Sequence, residues 1–199
     1  MALFIERGFT QTTMDDVADA AGVSRRTAYR HFPSKDDLVF EQPRRWLAHF
    51  NREVALRARD ETLRQMCRRG VLAVAELIQA NAGSVLPAYS VFVATPSLRG
   101  RNGQIEDEWF TRYVELLTPS RRVGAAQSLQ IATVAGALVG VTTMVVAMWA
   151  GAQPRADMVA MTRAVIDQLD PVWPDWLATQ LPARVRPAAT RTRDDRAAP

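Results

Sequence analysis

The tightest constraint in this chain is a glycine with a helix-capping signal on either side. In the stretch Thr12–Lys35, TTMDDVADAAGVSRRTAYRHFPSK, the Thr13 hydroxyl can cap a helix, and Asp16, three residues on, stands where a capping box wants an acid. Met14, Val17, Ala18 and Ala21 then share one face. Gly22 tolerates the left-handed backbone that ends a helix, so the chain can reverse within Ala21-Gly22-Val23. Ser24 caps the next helix, with Val23 and Ala28 at the spacing of a hydrophobic staple. Two short helices joined by a tight turn make a helix-turn-helix.

The polarity of the second helix gives it a purpose. Burying Ala28 and Phe32, four residues apart, turns Arg26 and Arg30 outward at 100° per residue, with Thr27 and Tyr29 beside them and Arg25 and His31 at the margins. Arg offers paired donors to guanine edges or phosphate, Thr a methyl for thymine, and Tyr and His donors for phosphate oxygens. The acids Asp15, Asp16 and Asp19 fall on the preceding helix, away from that face.

At these residues the chain resembles the TetR family of transcriptional regulators. FIERGF, TTMDDVADAAGVS, RRTAYRHF and PSKDDL follow its N-terminal pattern over roughly the first forty residues. The resemblance implies an all-α homodimer, with an N-terminal three-helix module that binds double-stranded operator DNA and a C-terminal helical domain that binds a small molecule. By motif position, Thr13 matches a phosphate-contacting cap. Arg25, Arg26, Thr27, Tyr29, Arg30 and His31 match recognition-helix contacts, and Lys35 matches a backbone-anchoring lysine; the resemblance implies that all of these, with Thr13, are DNA-binding residues. The sequence departs from the family in one respect: at most two turns of helix precede Gly8-Phe9, where a full helix is usual.

Bulk properties narrow the reading. With 48% hydrophobic residues among 199, there is ample material for a buried core. The net charge of +4 is mostly a tail effect, because residues 182–199 hold five Arg against two Asp. Residues 1–50 balance seven basic against seven acidic side chains, so nucleic-acid binding must rest on local clustering. Cys67 is alone and suits a reducing cytoplasm as a small core residue. His31 and His49 have no partner at metal-ligand spacing, and no metal or cofactor is expected. MALFIERGF becomes charged at Glu6, too early for a signal peptide.

Further along, Ser34 and Asp37 cap a helix predicted to run toward Arg59, with a kink near Glu41–Pro43 because proline removes a backbone donor. That kink is a candidate hinge for ligand-driven motion. A helix follows over 61–83 and ends near Asn81-Ala82-Gly83, and Pro87 opens a short apolar segment. PSLRGRNG, from Pro96 to Gly103, reads as a loop before a helix from Gln104 to Leu117, and Thr118-Pro119-Ser120 breaks the chain. The expected division is 1–45 for DNA binding, 46–181 for ligand binding and dimerisation, and 182–199 as a disordered basic tail.

Val123 to Pro154 contains no charged residue, and the twenty residues Ile131 to Ala150 would span about 30 Å as helix. A single membrane span is therefore an alternative. Half of those twenty are Ala, Gly or Thr, however, and a helix apolar all round can instead lie between its own bundle and a partner subunit. Ala132, Gly136 and Gly140 form a small-residue stripe, expected to join Thr162 and Ile166 of the following helix in a dimer interface without membrane contact. Trp173 and Trp176 are expected to cover one end of it. Met66, Phe92, Trp109, Phe110, Tyr113, Met144 and Met148 are the expected lining of an apolar ligand pocket. No nucleophile–base pair, carboxylate dyad or phosphate-cradling glycine loop points to an enzyme, and the enzyme or binding-protein alternative for small hydrophobic molecules rests on the apolar residues alone. These expectations converge on a cytoplasmic repressor released from a palindromic operator by a hydrophobic or aromatic effector.

Overall fold

The computed structural model describes residues 1–56, 58, 60–118, 123–152, 156–169 and 173–175. Its helices are α1 Ala2–Arg7, α2 Met14–Ala20, α3 Arg25–His31, α4 Lys35–Ala55, α5 Leu63–Ala80, α6 Ala82–Ala94, α7 Pro96–Leu117, α8 Ala125–Gly151 and α9 Met158–Leu169. No strand occurs among the described residues. The expected tail, 182–199, and Trp176 lie outside them, while Trp173 is buried in the core.

The predicted caps form. Thr13 and Asp16 make a capping box, as do Ser34 and Asp37 at α4 and Thr62 and Gln65 at α5. Gly22, at φ 66°, takes the left-handed position after α2. Its N–H donates to Asp19 and that of Val23 to Ala18, which is the paired bonding of a Schellman motif. The staple does not close: Val23 is 40% exposed, because the Gly22 reversal leaves it on the outside of the turn. Met14, Ala18 and Ala28 make a small core of their own, against which Phe32 and Leu38 pack half-buried.

The main core is built by α4 to α9 and takes in Phe4 of α1 and Phe9 of the loop after it. Here α4 packs on α5, α5 on α9, α9 on α8, and α8 on α7. Gly70 on α5 lets Phe50 of α4 approach so closely that a Cβ at that position would sit 2.6 Å from the ring. Three boundaries differ from the sequence reading. Helix α4 is continuous through Pro43 and stops at Ala55, short of Arg59. Asn81 ends α5 by donating from its amide to the Leu77 carbonyl, but α6 begins at the next residue with the axis turned by 93°, so Gly83 and Pro87 both lie inside a helix. PSLRGRNG is helical as well. Pro96 occupies the first turn of α7, where its missing N–H costs nothing, and the burial of Leu98 and Ile105, two turns apart, holds the glycine-containing segment in helix.

Candidate nucleic-acid interface and interior cavity

Helix α3 sits on the outside of the α2–α3 unit because Ala28 is its single buried residue. Arg25, Arg26, Tyr29, Arg30 and His31 are exposed, Tyr29 by 47%, and Thr27 is half-buried. Ser24 accepts from the Thr27 N–H at 3.2 Å and lies 2.9 Å from its hydroxyl, so Thr27 is engaged in its own cap. Arg26 and Arg30 have no ion pair or hydrogen bond among the described residues. Asp15 is closer to α3 than the helical wheel predicts: it reaches Arg25 at 3.1 Å across the turn and neutralises one margin of the face. Thr13 lies at the head of α2, its hydroxyl donating to Asp16 at 2.6 Å.

Lys35 has a different surrounding from its neighbours. Its ammonium donates to the carbonyls of Phe9 at 2.7 Å, Thr12 at 3.0 Å and Thr10 at 3.2 Å, and it stands 4.6 Å from the Phe9 ring centroid. An ammonium has three protons, and all three are used inside the protein. Lys35 therefore anchors the module's own main chain, which corrects the expectation that it faces DNA.

A second feature lies about one to three turns further along α4. A cavity of about 120 Å³ opens between α4, α6, α7 and α8. Its wall takes Val39, Gln42, Pro43 and Trp46 from α4, then Val85, Ala88, Tyr89 and Phe92 from α6. Asn102, Ile105, Glu106 and Trp109 come from α7, and Val139, Thr142, Thr143 and Val146 from α8. Each set has the three- and four-residue spacing of one helix face, interrupted by a polar residue, a signal that composition alone does not carry. Of the seven residues expected there, Phe92 and Trp109 line it. Met66 and Tyr113 are fully buried in the core instead, and Phe110, Met144 and Met148 are exposed. Among the described residues no group of three His, Cys, Asp or Glu is placed to hold a metal.

The expected dimer residues also divide. Thr162 and Ile166 are buried within the protomer, where α9 packs on α5 and α8, so they cannot face a partner. Gly136 and Gly140 are open, with nothing within 4 Å of where a Cβ would stand, and Ala132 is half-buried at their edge. The same outer face of α8 carries Leu129, 69% exposed, with Met144 and Met148 at 50% and 54%. By length and composition α8 could also cross a membrane, but its other flank is packed into the bundle.

Residues 1–41 match the family model of the bacterial regulatory proteins of the tetR family, and residues 61–174, more than half of the chain, match the MftR C-terminal domain. The chain belongs to the TetR family. A stretch of 46 residues is 46% identical to the HTH-type transcriptional repressor KstR2 of Mycobacterium tuberculosis, covering 23% of each chain. The chain thus spans about a quarter of that relative's length. Over 163 residues it is 25% identical to the putative mycofactocin biosynthesis transcriptional regulator MftR of M. tuberculosis, covering 82% of this chain and 80% of MftR. Two solved TetR-family structures share the fold. FadR of Thermus thermophilus, in complex with lauroyl-CoA, superposes with a TM-score of 0.54 at 23% identity over 94% of each chain. PfmR from the same organism gives 0.51 at 19% identity, covering 84% of this chain and 92% of its own.

Proposed function

We propose that this TetR-family chain is a cytoplasmic, homodimeric transcriptional repressor that binds a palindromic operator through α3 and leaves it when a mostly hydrophobic effector enters the α4–α8 cavity. The observation that carries the reading is the outward face of Arg26, Tyr29 and Arg30, held by a capped α2 and a Schellman turn and without partners among the described residues. Arg25, Thr27 and His31 flank it, and Thr13 adds a helix N-terminus suited to phosphate. The functional division would be 1–45 for DNA and 46–181 for ligand and partner.

The exposed Leu129, Met144 and Met148 with Gly136 and Gly140 favour α8 as the two-fold contact, since small residues let another helix approach and large apolar ones supply buried area. A two-fold scaffold sets the recognition helices for half-sites about one turn of DNA or slightly more apart. Helix α4 supports the coupling. It holds the module through Lys35 and lines the cavity through Pro43 and Trp46, so a ligand that shifts one end of α4 moves the other. A mobility-shift and footprinting assay of the purified protein on DNA upstream of its own gene tests the reading. A symmetric, salt-sensitive footprint is expected, and binding indifferent to sequence or extraction that requires detergent would reject it.

A further inference from the structure

The cavity wall carries charge of one sign. Glu106 of α7 is its one carboxylate, and no Lys, Arg or His lines the space. Asn102 donates to Glu106 Oε1 at 2.7 Å, and no cation pairs with the carboxylate among the described residues. The second oxygen, Oε2, has no hydrogen bond among them either. It is not sealed in, because the occluded side-chain atoms that lack a partner are Trp46 Nε1 and Tyr113 Oη. Glu106 is thus half-buried, with one oxygen held and the other accessible. The residues around it are aromatic. Asn102, Glu106 and Trp109 succeed one another at four and three residues along one face of α7. From α6 come Tyr89 and Phe92, with ring centres 5.9 Å apart, and Phe40 of α4 meets Phe92 edge-on at 6.3 Å.

On the reading of this cavity as the effector site, we infer that it selects a small lipophilic ammonium ion, an arylalkyl or short alkyl amine, whose charge is held by Glu106 and whose apolar body lies among Tyr89, Phe92 and Trp109. A neutral guest would strip water from the carboxylate without offering a counter-charge, and an anion would add repulsion. An ammonium ion donates to Oε2 and is attracted by aromatic faces as well. The volume, about 120 Å³, is close to the ~150 Å³ of apolar cavities that take a benzene-sized guest, which limits the apolar body to one ring or a short chain. Glu106 is thus a specificity-determining residue. Because it stays partly in water, its ion pair is modest and the preference is on the order of tenfold.

The test uses the full chain and single-ring probes of similar size, namely benzylamine as its ammonium ion, benzyl alcohol and benzoate, titrated by calorimetry near neutral pH. Benzylammonium should bind about tenfold more tightly than benzoate and roughly threefold more tightly than benzyl alcohol. Glu106→Gln keeps an acceptor for Asn102 and removes the charge, so the gap between benzylammonium and benzoate should close to within about threefold. Benzoate or benzyl alcohol binding to the wild-type chain as tightly as benzylammonium overturns the proposal, as does an ammonium preference that persists undiminished in folded Glu106→Gln. The first comparison is read on the wild-type protein, so it stands even if the variant fails to fold. If no probe binds while operator DNA still does, this ligand chemistry falls and the regulator reading stands. A Glu106-dependent ammonium preference in a protein that binds no operator supports the ligand chemistry and removes the regulator reading.

Discussion

Lys35, the first residue of α4, donates to the Phe9 carbonyl at 2.7 Å, across 26 positions of sequence. With its bonds to Thr10 and Thr12, this makes the lysine a strut between α4 and the loop after α1. Lys35→Met should destabilise the N-terminal module by about 1–3 kcal/mol. It should also weaken DNA binding while leaving the slope of log affinity against log salt unchanged, as read from binding curves at several salt concentrations. A slope lowered by about one would show that Lys35 touches phosphate after all.

Arg26 and Arg30 should behave in the opposite way. Each change to Ala is expected to leave the thermal midpoint within about 2 °C, since exposed substitutions cost little. Each should lower the salt slope by about one if it reaches phosphate, or cost about 1–3 kcal/mol at a particular base if it reads one. Fluorescence anisotropy on operator variants distinguishes the two.

Gly70 tests the closeness of α4 and α5. An added Cβ would meet the Phe50 ring at 2.6 and 2.8 Å and Val54 Cγ1 at 3.0 Å. The ring belongs to a fully buried side chain and cannot swing away. Gly70→Ala should cost about 1–3 kcal/mol, more than the gain in helix propensity returns, in denaturant unfolding.

Acid should weaken the start of α4 through Asp37. Partial burial opposes its ionisation, but hydrogen bonds from Arg44 and Ser34 outweigh that and hold the carboxyl below the ordinary Asp range. A lowered folded pKa means that the stabilisation is present above the unfolded value, near 3.9, and is lost as pH falls through the folded one. Thermal melts from neutral to about pH 3 should therefore show a flatter acid limb in Asp37→Asn than in the wild type. An identical limb would mean that the Ser34–Asp37 cap contributes nothing.

The two flanks of α8 should separate dimerisation from folding. Gly140→Glu or Met144→Arg, on the exposed face, should yield a folded monomer by sedimentation, with operator affinity reduced. Ile166→Ala, inside the protomer, should instead cost about 2–5 kcal/mol in unfolding. A monomeric wild-type protein would overturn the interface.

The features legible in the sequence are those that local chemistry decides. Thr13 with Asp16, Gly22, Ser24, and Ser34 with Asp37 act within a few residues of themselves, and all four features form as read. Legibility ends where distant packing overrides local preference. Pro96, Gly100 and Gly103 look like a loop until the burial of Leu98 and Ile105 is known. Motif position marks Lys35 as an anchor beside the DNA-binding face, but that the oxygens it holds are the module's own emerges only when three carbonyls from the preceding loop close on it.

Helix α8 illustrates the other difficulty. An amphipathic helix advertises its inner side, but a run without charge from Val123 to Pro154 does not, so nothing in the spacing says that Val145 and Trp149 point inward while Met144 and Met148 point outward. The pocket residues are hidden for a related reason. Met66 and Tyr113 have the right chemistry, but they belong to the solid core, whereas the cavity is marked by polar residues such as Gln42 and Asn102 on otherwise apolar faces.

The oxygens gripped by Lys35 belong to peptide units, which every residue type supplies. The tether therefore reads the path of the chain and is nearly blind to its side chains. A different reading head, with other residues on α3 but the same course from Phe9 to Thr12, could be grafted ahead of Ser34 and be held by the same lysine. DNA preference could in this way be exchanged without rebuilding the helices beneath it.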